Sequence, residues 1–182
     1  MMQNQQDGSH FMRIYGIVGR KNTGKTHLVA RLVRAATARG LRVSTVKHAH
    51  HEFDIDQPGK DSHTHRTAGA QEVLVASSQR WALIHEHRGA AEPGLDELLA
   101  HLAPCDLVLV EGFKSGSHEK LEVYRVSCEQ SPLAPQDASI AAQAVDAGTM
   151  TSATGSVPRL PLDDTDAVLD FVLARTGLAS AR

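Results

Sequence analysis

The sequence predicts an α/β fold built on a mainly parallel sheet, and three features point there. Gly19-Arg20-Lys21-Asn22-Thr23-Gly24-Lys25-Thr26 is a G-x-x-x-x-G-K-T turn set between an apolar strand and an amphipathic helix. The first fifty residues read as one β-α-β unit, whose strands run parallel with a right-handed crossover. Asp106 to Gly112 places four consecutive apolar residues between two carboxylates, as a strand buried on both faces does. Together they predict a three-layer P-loop NTPase architecture, with a β-hairpin inserted into it.

The elements follow in order. Arg13 to Val18 is short and rich in β-branched residues, which makes it the first buried strand. A helix starts at about Lys25, carries Leu28, Val29, Leu32, Val33 and Ala36 on one stripe, and meets its stop signal at Gly40. Leu41 to Lys47 reads as the second strand. A polar segment rich in His and Asp runs from His48 to about Lys60, and a short helix follows near Asp61 to Ala70. Val73 to Ala76 and Trp81 to His85 are strands joined by Ser77-Ser78-Gln79-Arg80, the pattern of a hairpin. Pro93-Gly94 breaks the chain before a helix near Leu95 to Leu102. Beyond the buried run at 106 to 112, Leu121 to Val126 alternates like a strand, and Ile140 to Val145 adds another. Thr165 to Arg175 closes the chain as a helix with Val168, Leu169, Val172 and Leu173 on one side and Asp163 and Asp164 near its positive end. Four of the seven prolines fall between Glu129 and Pro161, and no element can be assigned there beyond the strand at 140.

With 182 residues the chain is expected to fold as a single nucleotide-binding domain over 12–182, preceded by a disordered leader over 1–11. Nineteen basic and 21 acidic residues give a formal net charge of −2 with no long run of either sign, which argues against a nucleic-acid or membrane-surface partner. Cys105 and Cys128 stand far apart and outside any C-x-x-C pair, so neither a disulfide framework nor a thiolate metal site is expected. No apolar run approaches a membrane span, and the expected location is cytoplasmic.

The turn carries the chemistry. Its glycines let the backbone curl so that successive N–H groups and the start of the helix face a phosphate. Gly19, Asn22, Thr23, Gly24, Lys25 and Thr26 form the cradle. Lys25 is expected to bridge the β- and γ-phosphates of a nucleoside triphosphate, and the Thr26 hydroxyl to contact Mg²⁺. Magnesium needs a further anionic oxygen. Of the carboxylates flanking the buried strand, Glu111 lies at its carboxyl end, where an open parallel sheet binds ligands, so Glu111 is favoured over Asp106. Gly112 then allows the backbone to approach the γ-phosphate.

Five of the eleven histidines, His48, His50, His51, His63 and His65, lie between positions 48 and 65. They are interleaved with Lys47, Asp54, Asp56, Lys60 and Asp61. The segment is either a switch that senses the γ-phosphate, with Asp54, Asp56 or a histidine positioning water, or a site for a metal such as zinc or nickel, or a solvated loop. Spacing alone does not separate these.

Several blocks taken in order identify a family. Gly19 to Thr26, Lys47-His48-Ala49-His50-His51 with Asp54-Ile55-Asp56, Pro58-Gly59-Lys60-Asp61-Ser62, Ser78-Gln79-Arg80-Trp81-Ala82-Leu83 and Val110-Glu111-Gly112-Phe113-Lys114 resemble the protein B family of molybdopterin-guanine dinucleotide biosynthesis adapters. The likeness spans roughly 12–126 and resumes in the last helix. It implies a Mg²⁺-dependent GTP-binding homodimer with slow GTP hydrolysis at most. Such a protein associates with the molybdenum cofactor guanylyltransferase, and with other cofactor-biosynthesis proteins, without itself transferring the nucleotide. The stretch from Lys47 to Asp61 becomes a switch and a contact for molybdopterin or a partner, with Lys47, His48, His50, His51, Lys60 and Asp61 as its residues. Arg80 and Trp81 are of the types that anchor interfaces, although Trp81 suits a core indole equally well.

In the family a late strand is followed by Ala-Ser-Asp and, shortly after, proline, where the carboxylate can read guanine. Here Thr151 to Pro158 takes that place and offers no acid. Two other activities fit the same turn. A small-molecule kinase would use Asp54 or Asp56 as general base, and a metallochaperone GTPase would use the histidines as ligands.

Overall fold

The buried apolar runs assemble side by side. In the computed structural model, which describes residues 12–49, 53–150 and 157–179, chain order is β1 (Arg13–Val18), α1 (Lys25–Ala38), β2 (Val43–Lys47), α2 (Asp61–Thr67), β3 (Glu72–Ala76), β4 (Trp81–His85), α3 (Leu95–Ala100), β5 (Leu107–Glu111), β6 (Lys120–Tyr124), β7 (Ile140–Val145), α4 (Ala147–Met150), β8 (Arg159–Pro161) and α5 (Thr165–Thr176). The expected leader over 1–11, along with His50, His51 and Thr151 to Ser156, lies outside the described residues.

The described residues gather into two units, one formed by the chain up to His48 and from Leu98 onward, the other by Ala49–Glu97. Six strands make the sheet of the larger unit in the order β2-β5-β1-β6-β7-β8, every neighbouring pair parallel. The predicted α/β class with a mainly parallel sheet is therefore what the chain adopts. β1 and β5 are interior strands with a neighbour on each side, which suits the buried stretches Tyr15 to Val18 and Leu107 to Val110. Tyr15, Ile17, Leu107, Leu109, Leu121 and Val123 meet Leu28, Leu32 and Ala36 of α1 and Val168, Leu169 and Val172 of α5 in the main core. Val18 points the other way and packs with Ala134 and Ile140.

Several ends differ from the sequence pattern for local reasons. β2 starts at Val43 rather than Leu41 because the Arg42 N–H donates to the Asp106 carboxylate at 2.7 Å. α2 stops at Thr67, ahead of Gly69 at φ 113°. β6 ends at Tyr124, since the chain leaves the ladder at Arg125 for a 3₁₀ turn over Val126–Cys128. At the chain's last helix, Asp164 accepts from the Ala167 N–H at 2.9 Å, and Gly177 at φ 73° ends the element.

The smaller unit contains α2 and the predicted hairpin, β3 and β4, which pair antiparallel from Glu72 opposite His85 to Ala76 opposite Trp81. Ser77 closes its turn by donating N–H to the Arg80 carbonyl at 2.9 Å. Arg66 holds the unit's polar side together, donating to Asp54 at 2.7 Å and Glu86 at 3.2 Å with Asp56 at 3.5 Å.

Candidate phosphate-binding site

The turn between β1 and α1 is built from backbone conformations that its sequence permits. Gly19 (φ 148°) and Gly24 (φ 99°) lie in the region glycine favours, and Asn22 takes φ 63°. At Gly19 a Cβ would fall 2.5 Å from the Val123 carbonyl of β6, so any larger residue would push the turn off the sheet. Thr23 is buried and donates its hydroxyl to the Arg20 carbonyl at 3.1 Å, pinning the loop from below. Gly24 accepts the first helical N–H, from Leu28, at 3.0 Å.

Lys25 folds back over this turn and donates to the Arg20 carbonyl at 2.6 Å. Burial pushes its ammonium below the usual lysine range; Glu111 counters that, and the nearby Lys114 and Lys47 reinforce it. Thr26 and Glu111 come together across the α1–β5 contact, the threonine hydroxyl donating to Oε1 at 2.8 Å. Glu111 is 8% exposed. A hydroxyl and a shielded carboxylate beside a phosphate-sized turn are hard oxygen donors, the kind that holds magnesium with few protein ligands. The residues present fit that ion.

Lys47 ends β2 directly opposite Glu111 of β5. Its Nζ stands 3.3 Å from Glu111 Oε1 and 3.4 Å from Thr26 Oγ1. His48 donates its N–H to the Glu111 carbonyl at 2.9 Å, and its ring packs against Phe113 with centroids 4.9 Å apart. Gly112, at φ 94°, leaves room for that close approach, since a Cβ there would lie 3.0 Å from His48 Cβ. Sequence-predicted Gly19, Asn22, Thr23, Gly24, Lys25, Thr26, Lys47, His48, Glu111 and Gly112 thus converge at one sheet edge.

Two further residues at this edge were not found from sequence. Asp146 directly follows the last residue of β7, so an acid does stand after the late strand, ahead of the Thr151 to Pro158 stretch where the sequence pattern offered none. Its Oδ1 accepts from the Thr149 hydroxyl at 2.6 Å and N–H at 3.0 Å. Those bonds, with help from Arg125, hold the carboxyl below the usual carboxylate range. Arg125 links it to the turn, donating through Nε to the Thr23 carbonyl at 3.0 Å and approaching Asp146 Oδ2 at 3.4 Å. The signal was present in the acid that closes the Ile140 to Val145 run.

The remaining predicted residues that are described belong to the smaller unit. Asp54 and Asp56 surround Arg66, and Asp56 also accepts from the Ser62 hydroxyl at 2.6 Å. Lys60 precedes α2 as its cap residue, and Asp61 occupies the first turn. Arg80 lies in the hairpin turn. Trp81 is 66% exposed, which removes the core-indole alternative: it starts β4 directly after the hairpin turn, opposite Ala76. Among the described residues no group of three or more His, Cys, Asp or Glu is placed to hold a metal. No helix among them is long and apolar enough to cross a membrane.

Comparison with known proteins places this arrangement in context. The family profile described as Molybdopterin guanine dinucleotide synthesis protein B matches residues 14–146. The chain is 37% identical over 153 residues to the molybdopterin-guanine dinucleotide biosynthesis adapter protein of Escherichia coli (strain K12), covering 83% of this chain and 86% of that one. It is 39% identical over 115 residues to the protein of the same name from Haemophilus influenzae, covering 62% and 63%. Among solved structures, a MobB protein homolog from Bacillus stearothermophilus superposes with a TM-score of 0.63 at 26% identity, covering 91% of this chain and 99% of the other.

Proposed function

Because this chain belongs to the molybdopterin guanine dinucleotide synthesis protein B family, we propose that it is a GTP-binding adapter in the biosynthesis of that molybdenum cofactor. In this role its nucleotide state gates a guanylyltransferase partner, and the protein hydrolyses GTP slowly at most, working in the cytoplasm as a homodimer. The observation that carries the nucleotide part is the convergence of the Gly19 to Thr26 turn, the folded-back Lys25 and the Thr26–Glu111 pair at the carboxyl edge of a parallel sheet.

The turn's N–H groups and Lys25 would take the β- and γ-phosphates, Lys25 exchanging the Arg20 carbonyl for phosphate oxygen. Magnesium, held by Thr26 and Glu111, would neutralise charge on those phosphates. Asp146 supports guanine over adenine, since a carboxylate held ionised at the end of β7 accepts from the N1–H and amino group that only guanine presents together. Slow turnover is expected because no catalytic glutamine or arginine finger is assignable among the described residues, the latter worth about 10³ to 10⁵ in rate where present. Asp54 and Asp56 are engaged by Arg66, which favours the adapter over a kinase that needs a free carboxylate base.

The exposed Trp81 and Arg80 suit the partner or a second copy, and Lys47, His48, His50, His51, Lys60 and Asp61 suit the switch or a molybdopterin contact. Capture of purified guanylyltransferase by immobilised protein tests the gating. Binding should be stronger with a non-hydrolysable GTP analogue than with GDP, and equal capture in both states would remove the gate.

A further inference from the structure

Lys47 occupies a position that a phosphate-binding site does not require. It sits directly opposite Glu111 across the β2–β5 ladder, so both side chains leave the sheet on the same face. Its ammonium lies 3.3 Å from Glu111 Oε1 and 3.4 Å from Thr26 Oγ1, the same two oxygens that fit magnesium and that lie 2.8 Å from each other. We propose that Lys47 is a built-in counter-cation, which holds the Thr26–Glu111 pair until a divalent ion takes those oxygens and which then transfers its charge to the bound phosphates.

The physical case rests on exclusion. Magnesium takes its oxygens at about 2.0–2.1 Å, so an ammonium hydrogen-bonded to the same oxygens would face a divalent charge at close range and must leave. Its neighbours decide where it goes. Lys25 feels Glu111, Lys114 and Lys47 together, so positive charge outweighs negative near it, an imbalance that a bound polyanion relieves. The Lys47 side chain is 58% exposed and free to swing, whereas Glu111 is held by the strand, so the lysine is the partner that moves. Without metal, Lys47 cancels the Glu111 charge that would otherwise repel a triphosphate. With metal, it competes for the site.

This inference rests on the proposed nucleotide site, and its test separates the two. GTP affinity is measured by calorimetry in EDTA and along a MgCl₂ titration for wild type, Lys47→Met and Lys47→Arg. Lys47→Met should bind GTP about two- to fivefold more weakly in EDTA, and should reach half-maximal enhancement at an Mg²⁺ concentration about two- to fivefold lower, as one partly screened charge pair warrants. Lys47→Arg, keeping the charge, should stay near wild type in both. An unshifted or raised Mg²⁺ midpoint in Lys47→Met overturns the counter-cation while leaving the nucleotide site intact. Wild type that fails to bind GTP under either condition overturns the nucleotide site itself, and this inference with it.

Discussion

Asp146 shows how much one carboxylate can do at a strand end. Its Oδ1 ties down the start of α4 through both polar groups of Thr149, and its other oxygen faces Arg125, which reaches the Gly19 to Thr26 turn. The Thr149 bonds, assisted by Arg125, lower its pKa from 3.8. A folded-state value below the unfolded one means the stabilisation is complete above pH about 4 and fades as pH falls through the folded value. Asp146→Ala should therefore cost about 1–2 kcal/mol at pH 7 in urea unfolding, with the gap from wild type narrowing as pH falls below the ordinary carboxylate value of 3.8. At this scale the turn residues and Glu111 were legible, because phosphate and metal chemistry dictates their types and spacing. Asp146 was not, because the expected marker is an acid followed closely by proline, whereas the next proline is Pro158 and Gly148 stands nearer.

Among the elements, β6 departs most from its pattern. The alternation Leu121-Glu122-Val123 marks Glu122 as outward and solvated, yet its side chain is fully buried. The reason is the connection to β7, where Pro132 and Pro135 bar a continuous helix from covering that face. Irregular backbone lies there instead, and Glu122 satisfies it: its oxygens accept from the Leu133 N–H at 2.7 Å, the Ala134 N–H at 3.0 Å and Gln143 Nε2 at 2.9 Å. Lys120, likewise fully buried, donates to the Gly116 carbonyl and the Ser139 hydroxyl at the other end of the same strand. Glu122→Leu should destabilise the fold by about 2–4 kcal/mol in chemical denaturation, since three donors lose their acceptor in a dry site. α1 and α5 were readable because each is long enough to show a helical stripe, and β1 and β7 because each is an apolar run of strand length. β8, of three residues, and α4, of four, are too short to show any period, and they are positioned by pairing and capping rather than by propensity.

For the whole molecule, a net charge of −2 conceals a local excess of positive charge. Lys25, Lys47 and Lys114 act together at the carboxyl edge of the sheet, where Glu111 is the carboxylate among them. Binding of an anionic ligand is thus a property of that edge and not of overall composition. Family membership and the parallel sheet agree with a nucleotide-dependent adapter, and the central claim is that the Gly19 to Thr26 turn holds a nucleoside triphosphate. Calorimetric titration of GTP with Mg²⁺ into wild type and Lys25→Ala, alongside their melting temperatures, tests it most directly. Wild type should bind one GTP per chain, and Lys25→Ala should lose about tenfold or more in affinity, as expected for one charge-assisted phosphate contact, with its melting temperature unchanged. Equal affinity in the two proteins, or no binding to wild type, would contradict the account.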